Sequence, residues 1–164
     1  MLLLAGLFAL FNILFYGWIA ESVPFNKYLA LNARASIPLI RFFGADASAE
    51  GTSVRSSRFG LEIKHGCDAL QPTAFFMLAI LASPVPIPIA RRLLPILAGT
   101  SILLLLNLVR ILTLFYAGIK IPTWFETLHQ DIWQALFIFL PLVFWIGWVL
   151  RVTRPPTRVA HGSS

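Results

Sequence analysis

Long apolar runs separated by short polar stretches dominate this chain. A bilayer-spanning helix needs about 20 largely apolar residues. Four segments approach that pattern: Met1 to Ala20, about Ala69 to Ser83, about Leu93 to Gly118 and about Ile132 to Leu150. The second is short unless Pro84-Val-Pro-Ile-Pro-Ile carries it onward as a broken span. The first lacks the basic start and the small-residue cleavage site of a removable signal peptide, and it reads as a retained signal anchor. Between the first two, Tyr28 to Phe43 sets Leu31, Ala35, Leu39 and Phe42 near helical spacing, with Arg34 and Arg41 elsewhere. That stretch is either an amphipathic helix lying in the membrane interface or a buried packing helix, and Pro38 is expected to kink or break it. Gly44 to Ser57 is rich in small polar residues and reads as loop. Phe59 to Lys64 alternates apolar and polar positions like a half-buried strand, and Thr52 to Arg55 pairs with it across Ser56-Ser57 as a small hairpin. The expected fold is therefore an all-α integral membrane protein of about four transmembrane helices. An outer amphipathic segment and a small β-hairpin precede Cys67. Residues 1–150 form a single membrane domain with an outer loop at 21–66, and 151–164 form a basic cytoplasmic tail.

Composition sharpens the class. Of 164 residues, 58% are hydrophobic and 12% charged, and the mean hydropathy is +0.80. A soluble domain of this size is far more polar. The single cysteine excludes an internal disulfide framework and a cysteine-rich zinc site, and neither a metal nor a cofactor is expected. The net charge of +6 is spread along the chain without a nucleic-acid motif, so anionic membrane lipid is the simpler partner. Arg91-Arg92 and the tail arginines Arg151, Arg154 and Arg158 fall on one side in a four-span arrangement. The positive-inside rule puts that side in the cytoplasm, although the 21–66 segment carries six basic residues against four acids. Cys67, His129 and the nearer end of the Arg110 helix then lie at the outer face.

Three residues carry candidate chemistry. Arg110 lies within the third apolar run, where a guanidinium costs several kcal/mol unless it faces a protein interior or a wet cavity. It is eight residues from Gly118, or roughly 12 Å along a helix, so it either approaches the outer interface within the protein or snorkels to a headgroup. Asn107 and Thr100 share its face and argue for partners over lipid. Cys67 opens the second apolar segment, with Gly66 leaving space beside it and Asp68-Ala-Leu-Gln71 resembling a capping box. The positive end of that helix favours thiolate while Asp68 opposes it, and a buried inert thiol is the plain alternative. His129 follows a second capping box, Thr123-Trp-Phe-Glu126, with Glu126 set to orient the ring and Trp124 and Trp133 in an interfacial aromatic belt. An ordinary interfacial histidine is its alternative, and His65 is a rival base. Together a thiol, an imidazole and a guanidinium make a set for acyl transfer. Rival readings are a small transporter or channel subunit using Arg110 as an ion site, and a structural protein assembling through the Asn107 face.

Gly66-Cys67, Asn107-Leu-Val-Arg110-Ile and Phe125-Glu-Thr-Leu-His129, in this order and at these topological positions, resemble the exosortase/archaeosortase family over about Leu61 to Trp148. The resemblance implies a membrane-embedded, sortase-like cysteine protease or transpeptidase with Cys67, Arg110 and His129 as its catalytic residues. It further implies exported protein substrates ending in a short motif, a hydrophobic helix and a basic tail, cut at the outer face of the inner membrane. A histidine in the third position is similar to bacterial members, and four spans instead of about eight are similar to the short exosortase H type. Asp68-Ala69 replaces the Ser-Gly or Asn-Gly common in relatives, which bears on the motif accepted. Gln71 and Gln130, near the mouth, are candidate contacts for that motif.

Overall fold

The computed structural model describes residues 2–64 and 66–154. Met1, the rival base His65 and the tail from 155 onward, including Arg158, lie outside the described residues. Five α-helices run in the order α1 (Leu2–Leu14), α2 (Val23–Phe42), α3 (Leu70–Ala82), α4 (Ile89–Lys120) and α5 (Trp133–Thr153). A small sheet of β1 (Ser48–Glu50), β2 (Ser53–Arg55) and β3 (Gly60–Glu62) separates α2 from α3. α4 and the continuous helical stretch Pro122–Thr153 each hold 32 residues and are long and apolar enough to cross a membrane. Those are the third and fourth expected spans. α1 with its π-helical extension Phe15–Ile19 qualifies only if counted together with α2 as one bent segment. α3 has 13 residues, or about 20 Å, so the expected second span is too short to cross as a regular helix.

The chain turns where its local chemistry demands it. Ser22 caps α2, its Oγ accepting from the Phe25 N–H (3.3 Å), with Pro24 in the first turn. The resulting bend away from α1 is 95°. Pro38 does not break α2, which continues to Phe42. Packing outweighs the missing donor: Leu29, Ala33 and Ile40 are buried in a core shared with Ile111 and Phe115 of α4, and the Tyr116 hydroxyl donates to the Ile40 carbonyl (3.0 Å). The buried stripe is Phe25, Leu29, Asn32, Ala33, Ser36 and Ile40, while Leu31 and Phe42 lie on the opposite, exposed face, at 63% and 83%.

α3 stops at the Pro84-Val-Pro-Ile-Pro stretch because prolines there have no N–H to extend the ladder. Its freed carbonyls are taken by Arg92. One guanidinium nitrogen donates to Ile80, Leu81 and Ser83 at 2.8, 2.9 and 3.0 Å, and the other to Val85 at 2.7 Å. Arg92, counted above only for the side of the membrane it marks, is buried and acts as a strut. A second core joins α3, α4 and α5 through Phe76, Ile80, Leu103, Leu114 and Phe137. Trp133 belongs to it. It is 7% exposed and donates its indole N–H to the Thr113 hydroxyl (3.0 Å), so it ties α5 to α4 instead of sitting in an aromatic belt; Trp124 is exposed.

The expected hairpin forms as β2 and β3, with Val54 opposite Leu61. The expected loop before it contributes an additional strand, β1, paired with β2 across a two-residue turn in which Gly51 has φ +59°. Phe59 seats its ring where Gly118 of α4 lacks a side chain, and any Cβ there would collide with it. This contact holds β3 against α4 at the level of the cysteine loop.

Candidate active site

Cys67, Arg110 and His129 come from three different elements and meet. The Cys67 Sγ lies 2.8 Å from His129 Nε2. The Arg110 guanidinium donates to Sγ at 3.5 Å and to the Gly66 carbonyl at 3.2 Å. With 3% of its surface exposed, Arg110 is turned into the protein and does not snorkel to a headgroup. Its Nε has no hydrogen-bond partner among the described residues, and its Cζ lies 5.5 Å from the centre of the Phe137 ring, which contributes a cation–π contact. Asn107 is fully buried one turn before it and donates to Asn32 Oδ1 at 3.3 Å. It therefore braces α4 against α2 and does not touch the sulfur.

The loop carrying Cys67 is held by Asp68, whose role differs from the expected capping box. Asp68 Oδ1 accepts from the Leu70 N–H (2.7 Å) and Oδ2 from the Gly66 N–H (3.1 Å). Its own carbonyl accepts from the Tyr28 hydroxyl (2.6 Å). Ala69, in the left-handed region at φ 60°, is the residue that immediately precedes α3, and Gln71 turns away to donate to Asn12 and Tyr16 (2.9 and 2.8 Å). Gly66 has φ +88° with open space where a Cβ would stand. Glycine is favoured there by backbone conformation, while the space remains free.

His129 rides on a π-helical segment, Thr127–Ile132, preceded by a single 3-10 turn at Pro122–Trp124. Neither Thr123 nor Glu126 makes the expected capping box. The Glu126 carboxylate accepts from Gln130 (2.8 Å) instead of orienting the imidazole, and the Phe125 ring lies against His129 at 5.7 Å between centroids. π-Helical insertions recur at functional sites because the extra residue re-aims the side chains of that turn. No feature of the sequence pattern distinguishes this turn from an ordinary α-helical one.

Burial pushes the Cys67 thiol above the ordinary cysteine value; Arg110 pulls it down and Asp68 pushes it further up. The net direction is opposite to the thiolate expected from the helix end. Sγ and Nε2 stand within hydrogen-bond distance, so a proton can pass between them.

Two cavities adjoin at Arg110. One, of about 390 Å³, is bounded by β3 and its flanks, Cys67, His129 and Gln130. The other, of about 400 Å³, is a largely apolar groove between α1, α3 and α5, reached by Gly66 and Gln71 and walled by Phe8, Phe75 and Phe137. Gln71 and Gln130 therefore serve different cavities and do not share one mouth. Among the described residues no cluster of metal-binding side chains occurs. No protein-family model matches the chain, and no curated protein or solved structure matches it either.

Proposed function

We propose that this chain is a membrane-embedded cysteine peptidase or transpeptidase of the exosortase type, acting on C-terminal sorting signals of exported proteins at the outer face of the inner membrane. The observation that carries the reading is the contact of Sγ with His129 Nε2 at 2.8 Å beneath the Arg110 guanidinium. Sγ attacks the substrate carbonyl carbon while its proton passes to Nε2. The electron pair of the C=O bond moves to oxygen, and Arg110 faces that developing charge in a partly buried site, where one such donor is worth about 10²–10³ in rate. The C–N bond then breaks, the amine leaves with the proton held by His129, and a thioester remains on Cys67. An acceptor, water or an amine or hydroxyl, gives its proton to His129 and attacks the thioester. The sulfur leaves and recovers the proton.

The apolar groove between α1, α3 and α5 suits the leaving part of such a substrate. A hydrophobic helix arriving from lipid docks there with its scissile end beside Gly66 and Arg110. Within a bilayer, α1 and α3 complete a four-helix arrangement around α4 and α5.

The test uses a reporter library: an exported domain, a randomised segment, a Leu/Ala helix of about 20 residues and a terminal arginine cluster. Expression of the parent chain should yield shortened reporters, and Cys67→Ala, Arg110→Ala and His129→Ala should each stop the shortening while still accumulating in the membrane. Shortening that persists with Cys67→Ala rejects the reading in favour of a non-enzymatic role, such as transport or assembly.

A further inference from the structure

The cavity that holds Cys67 and His129 is lined by six consecutive residues, Phe59 to Lys64. A cavity over one face of a sheet would meet every second residue, since side chains alternate. An unbroken run means that the cavity lies along the edge of the strand. The hydrogen bonds agree. Ser56 N–H donates to the Phe59 carbonyl (2.9 Å) and Ile63 N–H to the Thr52 carbonyl (3.0 Å). By the alternation of an antiparallel ladder, residues 59, 61 and 63 turn their backbone groups toward β2, and residues 60 and 62 turn theirs outward. β3 is the last strand of the sheet, in the order β1-β2-β3. The outward N–H and C=O groups of Gly60 and Glu62 have no hydrogen-bond partner among the described residues. Gly60 presents no side chain to hinder a second backbone, and the strand leads directly to the site, since the Cys67 N–H donates to the Lys64 carbonyl (3.0 Å).

We infer that the free edge of β3 is the binding site for the acyl part of the substrate: an extended peptide segment preceding the scissile bond adds to the sheet as an additional strand. Strand addition draws affinity from main-chain hydrogen bonds and specificity from alternate side chains. Gly60 and Glu62 offer the donors and acceptors, while the Phe59, Leu61 and Phe125 surface and the Glu126–Gln130 pair meet the side chains. The peptide crosses from this edge past Sγ to the apolar groove on the far side of Arg110. This inference rests on the peptidase reading and adds to it the conformation in which substrate is held.

Two measurements test it, with a synthetic peptide copying a segment that the reporter library shows to be cut. The first compares Glu62→Pro with Glu62→Ala. Proline removes an outward N–H and leaves the β2 ladder intact, a substitution that edge strands accept. Expected is a rise of about tenfold or more in the half-saturating peptide concentration for Glu62→Pro over Glu62→Ala, one lost bond to the substrate backbone being worth that much, with Cys67 alkylation by iodoacetamide unchanged. The second leaves the enzyme untouched and N-methylates the peptide's amides one at a time. Expected is an alternating pattern, with every second amide intolerant of methylation. Equal behaviour of the two Glu62 variants together with methylation sensitivity that lacks the period of two overturns edge docking, even if Cys67→Ala is inactive. A Cys67→Ala chain that still cuts overturns the peptidase reading, and edge docking with it.

Discussion

The two buried arginines of α4 look alike in sequence and differ in what surrounds them. Arg92 gives its guanidinium to four backbone carbonyls at the broken end of α3, and neither of the two cavities that adjoin at Arg110 reaches it. Arg110 gives its guanidinium to one carbonyl and one sulfur, and both cavities open onto it. Each charge has been removed from water, which is tolerable only with compensating partners. In Arg92 both terminal guanidinium nitrogens are taken up by carbonyls within the fold, which amounts to a helix cap, and its Nε, like that of Arg110, has no partner among the described residues. In Arg110 the two terminal nitrogens reach one carbonyl and the Cys67 sulfur, and the residue lines both cavities. A buried cation in an apolar helix is thus not a functional signature by itself. The signature is a buried cation whose remaining partners are reactive and accessible.

The comparison breaks most visibly by exchange of readouts. Arg92→Ala should unfold the α3–α4 connection, with a loss of about 3 kcal/mol or more as the carbonyls lose a charged donor, seen as a lower aggregation temperature in detergent. Arg110→Met should leave that temperature nearly unchanged and cut reporter processing by about 10²–10³. Equal thermal losses for both variants would show that Arg110 is also a strut. His129→Gln should follow Arg110→Met, with processing down about 10²–10⁴ and thermal behaviour retained, because its ring makes no bond that closes a helix end.

How much of this was legible follows from the same contrast. α4 and α5 were readable because an unbroken apolar run of bilayer length admits few other structures. The β2–β3 pair was readable from strict alternation in Phe59 to Lys64. β1 was not, since Ser48-Ala-Glu50 has no apolar face and pairs only because the Gly51 turn returns the chain onto β2. The strut role of Arg92 was not readable because its partners are carbonyls, which every residue carries and no sequence pattern marks. Asp68 and Glu126 matched capping-box spacing, yet one was drawn into the cysteine loop and the other to Gln130, competitors that spacing alone does not reveal. The meeting of Cys67, Arg110 and His129 was suggested by polar residues placed at corresponding depths in separate apolar segments. The strand edge beside them required the ladder itself.

A smaller effect concerns the loop that presents the thiol. Gly66→Ala meets no neighbour, so its whole consequence is the strain of φ +88°, about 1–2 kcal/mol. Part of that strain should appear as a displaced Gly66 carbonyl and a weakened hold on Arg110. Processing should fall several-fold with little change in membrane accumulation, measured by reporter cleavage against immunoblot. Full activity in Gly66→Ala would show that the loop conformation is not transmitted to Arg110.

The smallest and most diagnostic effect is the pH dependence of Cys67 alkylation by iodoacetamide in detergent. Burial raises this thiol's titration above the ordinary cysteine value, so at neutral pH only a small fraction is thiolate, and the rate should climb about tenfold per pH unit without levelling until beyond that value. Two substitutions move the curve in opposite directions. Asp68→Asn removes a charge that opposes thiolate while keeping one side-chain acceptor for the loop, so the midpoint falls and labelling at neutral pH quickens. Arg110→Met removes the charge that favours thiolate, so the midpoint rises and labelling slows. No comparable residue could be read out beside Arg92, whose partners do not titrate. A labelling curve indifferent to both substitutions would mean that Arg110 exerts no field at the sulfur, and the two arginines of α4 would then be of one kind after all.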